Sequence, residues 1–123
     1  MEHNPVGWFE IYVQDMARAR TFYESMLQLK LEHLPMPEIE MWGFPFEMER
    51  VGASGSLVKM HGVASGGNST VVYFSCVDCA VEEARVVPSG GTVQQSKMSI
   101  GEYGFISMVL DTEGNMIGLH SIQ

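Results

Sequence analysis

The sequence predicts an α+β fold: two βαβββ modules whose curved mixed sheets form a cup, with the helices outside. Three observations carry that expectation. The stretch "WFEIYVQDMARA" (8–19) can be laid over "VVYFSCVDCAVE" (71–82), each reading as a strand that runs into a helix. Three further strand-like segments follow each copy. Between the halves lies "VASGGNS" (63–69), polar and glycine-rich, which reads as a linker. The chain of 123 residues is then one domain, with one module over about 5–62 and the other over about 70–123.

In the first copy Phe9, Ile11 and Val13 alternate with Trp8, Glu10 and Tyr12; in the second, Val72, Phe74 and Cys76 alternate with Val71, Tyr73 and Ser75. Alternation at period two marks a strand with one face on a core. Asp15 and Asp78 then stand where a side-chain oxygen can accept the orphan amides of a helix's first turn. Met16, Ala19, Phe22, Tyr23, Met26 and Leu27 recur at helical spacing and predict the buried stripe of the first helix. The second helix is shorter and ends near Pro88 and "SGG". The strand-like segments are "LKLEHL", "EMWGFPFEM" and "GSLVKMH" in the first half, and "GTVQQ", "YGFISMVL" and "NMIGLHSI" in the second. "DTEGN" (111–115) suits a hairpin that needs positive φ, and "ASGS" (53–56) holds the corresponding place in the first half.

Composition narrows the function. Fifteen acidic against seven basic residues give a net charge of −8, which repels phosphate backbones and argues against nucleic-acid binding. No apolar run approaches the roughly 20 residues that span a bilayer, and "MEHNPVG" lacks the basic-then-apolar pattern of a secretory leader; a cytoplasmic protein is expected. "CVDC" places Cys76 on a strand facing the core and Cys79 at a helix start, a structural reading for both thiols. No glycine-rich phosphate loop or nucleophile elbow is present, and no Ser/His/Asp set stands in a recognisable context.

"FEIYVQDMARARTFYESMLQLKL", "VYFSCVDCAVEEARVVPSGGTV" and "GFISMVLDTEGNMIGLHS" together resemble the vicinal oxygen chelate superfamily, the glyoxalase, bleomycin-resistance and extradiol-dioxygenase group. More narrowly the chain is similar to the small bacterial proteins related to lactoylglutathione lyase. The resemblance implies the paired-module cup and a homodimer. It also implies a divalent metal held by one His or Glu from each of four strands, at positions that fall here on Trp8, Ser56, Val71 and Gly118. None of these is a plausible ligand, so neither metal nor cofactor is expected.

Glu10, between two aromatics on one strand face, is the sharpest candidate: partial burial suits a carboxylate to general-base work or to ligand binding. His120, two residues beyond Gly118, can move a proton near neutrality. Trp8, Tyr12, Trp42, Tyr73 and Tyr103 are the candidate aromatic lining of a small-molecule pocket. Two functions compete. One is a metal-free binder of a small organic ligand, as in the bleomycin-binding branch of the resemblance, the net charge of −8 being compatible with a cationic one. The other is a lyase or isomerase acting on a small carbonyl compound, with Glu10 as base and His120 or a tyrosine at the oxyanion. A cup filled by its own side chains, acting only through a dimer surface, is the third reading.

Overall fold

The computed structural model describes residues 3–49, 51–67, 69–112 and 114–123, with the side chain of Met26 outside the described set. In chain order the elements are β1 (Val6–Tyr12), α1 (Met16–Leu27), β2 (Glu32–His33), β3 (Glu40–Gly43), β4 (Ser54–Lys59), β5 (Thr70–Ser75), α2 (Cys79–Val86), β6 (Thr92–Ser99), β7 (Phe105–Leu110) and β8 (Met116–Ser121). A 3₁₀ turn at Gly101–Tyr103 precedes β7. The fold is α+β, with antiparallel pairs β2–β3, β3–β4, β6–β7 and β7–β8 and a parallel pair β5–β8. No helix among the described residues is long and apolar enough to cross a membrane.

The chain divides into two compact units, Phe9–Thr70 and Met1–Trp8 with Val71–Gln123, here the first and second unit. β1 contributes to both. Its opening residues run with β5, where Ser75 N–H donates to the Pro5 carbonyl at 2.8 Å.

In the first unit the strands lie in the order β2-β3-β4-β1. Asp15 caps α1, its Oδ1 accepting from Arg18 N–H at 3.0 Å. Gln28 closes the helix in the left-handed region at φ 53°. Met16 is buried with Val13, Leu31 and Leu57, and Ala19, Tyr23, Ile11, Trp42 and Phe44 pack on that cluster. The predicted stripe was too wide. Phe22 and Leu27 are exposed, because only the turn around Met16, Ala19 and Tyr23 meets the sheet.

In the second unit the order is β5-β8-β7-β6. Asp78 caps α2 by accepting from Ala80 N–H at 3.0 Å, and also takes the Lys97 ammonium at 2.8 Å. Cys79, Val109 and Leu119 form the core, with Phe74, Cys76, Val86, Val93, Phe105 and Ile117 around it. Both thiols are therefore packing groups. Burial, then the neighbouring Glu82 carboxylate, push the Cys76 thiol up to about 11.

Three segments differ from expectation in extent. The strand in "LKLEHL" is only Glu32–His33 and that in "EMWGFPFEM" ends at Gly43, with one further backbone bond each, Leu34 N–H to the Met41 carbonyl and Phe44 N–H to the Gly55 carbonyl, before Pro45, which has no amide to donate. "ASGS" is no hairpin turn, since Ser54–Ser56 already belong to β4. Tyr103 falls in the 3₁₀ turn rather than on a strand, and Gly104 follows at φ 101°. The "DTEGN" turn forms as read: Asp111 N–H bonds the Asn115 carbonyl at 3.0 Å and Gly114 takes φ 80°; Glu113 lies outside the described residues.

Candidate functional site

Two observations set β1 against β4. Val13 N–H donates to the Val58 carbonyl at 2.9 Å. A Cβ built on Gly55 would run into the Phe9 carbonyl. Both require the strands to run the same way with Phe9 beside Gly55, hence Glu10 beside Ser56. Across β4 the register pairs Ser56 with Gly43 and Val58 with Met41. Phe9, Ile11, Leu57 and Trp42 turn to the helix, and Glu10, Tyr12, Ser56, Val58, Met41 and Gly43 to the opposite face.

On that face Glu10 is 8% exposed. Its Oε1 accepts the Tyr12 phenol at 2.7 Å. Burial first, then the Glu10 charge and this hydrogen bond, hold the Tyr12 phenol far above its ordinary pKa. The Tyr12 proton therefore stays in place at neutral pH. Ser56 is fully buried, and its Oγ has no hydrogen-bond partner among the described residues.

Trp42 is not beside Glu10. It lies on the helix side of β3, its ring under the Arg20 guanidinium at 3.5 Å and its Nε1 donating to Glu40 at 3.2 Å. The parity of β3 around Pro45 was ambiguous in the sequence, and the Trp42–Leu57 register settles it. Phe44 also packs on the helix-side cluster, whereas Phe46 is exposed.

The second unit has its own face away from α2, carrying Tyr73, Gly118 and His120. Tyr73 is buried, and its ring occupies the space a Cβ at Gly118 would need. His120 pairs with Ser75 on β5 and Ile106 on β7, and its Nε2 lies 2.6 Å from the Tyr103 carbonyl. Tyr103 itself is half exposed, and Trp8 is half-buried at the start of β1.

Two open grooves lie in the first unit, and neither contains Glu10. One, of about 420 Å³, is lined by Gln14, Glu38, Glu40, Lys59, Met60 and His61. The other, of about 390 Å³, is apolar, with Phe9, Ile11, Tyr23, Leu29 and Phe44 in its walls.

A sequence model described as the Glyoxalase/Bleomycin resistance protein/Dioxygenase superfamily matches residues 6–119. The chain belongs to that superfamily. Curated relatives named "Putative glyoxylase CFP32", from Mycobacterium bovis and Mycobacterium tuberculosis, are 27% identical over 119 residues. The match takes in 92% of this chain and 44% of theirs, so the chain spans less than half their length. Among solved structures, methylmalonyl-CoA epimerase from Mycobacterium tuberculosis superposes with a TM-score of 0.72 at 14% identity, covering 97% of this chain and 88% of that one. A variant of the Streptomyces coelicolor methylmalonyl-CoA epimerase, in complex with 2-nitronate-propionyl-CoA, gives 0.69 at 12% identity, covering 96% of each chain. These likenesses establish the glyoxalase-type fold.

The superfamily resemblance implies a divalent metal, and the residues here do not fit one. Trp8, Ser56, Val71 and Gly118 offer an indole, a hydroxyl and two side chains with no donor atom. Among the described residues no three His, Cys, Asp or Glu side chains gather where they could hold an ion. The chemistry available is that of a buried carboxylate, a phenol and a hydroxyl.

Proposed function

We propose that the chain binds a small organic molecule through the Glu10 carboxylate on the first unit's face away from α1, without a catalytic metal. The observation that carries this is the burial of Glu10, 8% exposed and bonded to a phenol. Taking a carboxylate out of water costs several kcal/mol unless hydrogen bonds replace the lost hydration. A sheet face needs no such group to fold, and strongly perturbed ionisable pairs gather at functional sites. The net charge of −8 favours a neutral or cationic ligand over an anion.

The Glu10–Tyr12 pair also supports a second reading, an isomerase or lyase on a small carbonyl compound. Glu10 would take a proton from the carbon next to the carbonyl, and Tyr12, held protonated, would keep the carboxylate oriented. The relatives' name and the epimerase neighbours lie in the same range of chemistry. The roles expected of Trp8, Tyr73, Tyr103 and His120, as ligand lining and, for His120, proton transfer, are proposals for the second unit taken by itself.

The test is thermal unfolding of wild type and Glu10→Gln against a library of small neutral and cationic compounds, with Ni²⁺, Zn²⁺, Mn²⁺ and Mg²⁺ alongside. A ligand at a hundred times its Kd stabilises the native state by about 2.7 kcal/mol. A rise in midpoint with an organic compound, lost in Glu10→Gln, supports the binder. A rise with one metal, lost in the same variant, would sink it. Turnover of 2-oxoaldehyde–thiol adducts that survives chelation and vanishes in Glu10→Gln would select the enzyme.

A further inference from the structure

The groove of about 420 Å³ in the first unit takes no part in the reading above. Its origin lies in the β3–β4 register, which sets Glu40 directly against Lys59 at the end of the ladder. Continued by two residues, that register would bring Glu38 against His61. The two chains part instead. Glu38 takes a left-handed φ of 64°, strained for a residue with a Cβ. Residues 60–63 form a tight turn, Val63 N–H donating to the Met60 carbonyl at 3.2 Å. Gln14 Nε2 ties that turn to the end of β1 by donating to the Val63 carbonyl at 2.9 Å. Glu40 and Lys59 share the side of Trp42 and Leu57, which faces α1, so the groove is separate from the Glu10 face.

The opening has walls of opposite charge. Glu38 and Glu40 stand on the β3 side, Lys59 and His61 on the β4 side. Opposite charges directly across a strand pair attract, yet Glu40 and Lys59 form no ion pair among the described residues. Glu40 Oε2 accepts the Trp42 indole N–H at 3.2 Å instead. The side chains of Glu38, Lys59 and His61 make no hydrogen bond or ion pair among the described residues. A lone cation would leave the basic wall unmatched, and a lone anion would meet both carboxylates. An apolar molecule would take water from all four groups and return nothing. A molecule with an ammonium at one end and a carboxylate at the other matches both walls.

We propose that this groove is a second ligand site, selective for small zwitterions such as free amino acids and dipeptides, with the ammonium on Glu38 and Glu40 and the carboxylate on Lys59 and His61. A volume of about 420 Å³ holds a dipeptide. His61 can donate to a carboxylate in either protonation state, and the Trp42 indole orients Glu40. The inference is independent of the Glu10 reading. All four charged or ionisable side chains are exposed, so each contact is weak and selectivity, rather than tight binding, is what marks the site.

Three peptides part the charges. Glycylglycine carries both, glycylglycinamide only the ammonium, and N-acetylglycylglycine only the carboxylate. Their dissociation constants are measured at neutral pH by ligand-observed NMR, at low and at high salt. The proteins are wild type, Glu38→Asn with Glu40→Gln, Lys59→Gln with His61→Gln, and Glu10→Gln; Asn suits the left-handed φ at position 38. Wild type is expected to bind glycylglycine about fivefold more tightly than either singly charged peptide at low salt, and high salt should erase that lead. Loss of the acidic wall should cut the lead over N-acetylglycylglycine below about twofold and keep the lead over glycylglycinamide. Loss of the basic wall should do the reverse. Equal binding of the three peptides by wild type, no binding of glycylglycine, or a lead that survives high salt overturns the inference; the salt comparison needs no variant. A lead that both wall variants keep overturns it as well. A lead lost only in Glu10→Gln would put the peptides on the Glu10 face, overturning this inference while leaving that reading in place.

Discussion

The two units share a pattern of strands and helix yet finish the sheet face opposite the helix in different ways. In the second unit that face is satisfied: the Tyr73 ring covers Gly118, and His120 Nε2 meets the Tyr103 carbonyl. The first unit places there a buried acid, a phenol and a hydroxyl without a partner among the described residues. The helix-side clusters, one in each unit, are by contrast close counterparts: an N-capping aspartate, inward-facing helix residues over two turns, and a leucine from the last strand. The two units are alike on the side that builds the core and differ on the other side. Chemistry is to be sought where packing has left polar groups without need for them.

The glycines on these faces break the comparison most sharply. A Cβ at Gly118 would enter the buried Tyr73 ring, so Gly118→Ala should cost roughly 2–3 kcal/mol and lower the midpoint by about 10 °C. At Gly43 the obstacle is the end of the half-buried Leu34 chain, Cδ1 at 2.8 Å, which can swing aside. Gly43→Ala should cost about 1 kcal/mol or less. Equal costs in a calorimetric comparison would show that both faces are packed alike.

The buried serines come next. Ser121→Ala strands the Cys79 amide and should cost about 1–3 kcal/mol in urea unfolding, while Ser56→Ala should cost nothing. A large loss at Ser56 and none at Ser121 would reverse the account of which unit is satisfied.

A smaller effect separates the two caps. The Lys97 ammonium first, and then the Ala80 amide, hold the Asp78 carboxyl below its ordinary 3.8, while Asp15 caps its helix through the Arg18 amide. A lowered folded pKa contributes stability above the unfolded value, which is lost as pH falls through the folded one. Acid titration of stability below about pH 4 should therefore be shallower in Asp78→Asn than in wild type.

The smallest effect concerns the thiols. Cys76, pushed up to about 11, stays protonated at neutral pH and should react with iodoacetamide at least about tenfold more slowly in the folded protein than in urea. Fast native alkylation would remove the structural reading of "CVDC".

Much of this was legible in the sequence because the signals were local. Asp15 and Asp78 cap helices, β1 and β5 alternate, and Gly114 turns the last hairpin, all as their immediate neighbours dictate. What escaped depends on partners far along the chain. The face taken by Trp42 follows from its pairing with Leu57, fifteen residues on. Phe22 and Leu27 look like core in a helical wheel but find no strand opposite them. Ser56 carried no signal beyond its place among the positions aligned with metal ligands. Its relation to Glu10 exists only through the β1–β4 register.

The Tyr12–Glu10 hydrogen bond has a practical consequence. A phenol held far above its ordinary pKa keeps its proton through alkaline conditions that ionise an unperturbed tyrosine, and only while the fold persists. Its stabilising contribution is complete below the ordinary value near 10 and fades as pH rises through the folded one. With four tyrosines in the chain, the near-ultraviolet tyrosinate band should therefore rise in stages, Tyr12 lagging an ordinary phenol. That delayed absorbance is an intrinsic optical gauge of the site, readable without label or substrate. Any compound that displaces the phenol from Glu10 would show itself, at pH above the ordinary value near 10, as an earlier rise of that ultraviolet band.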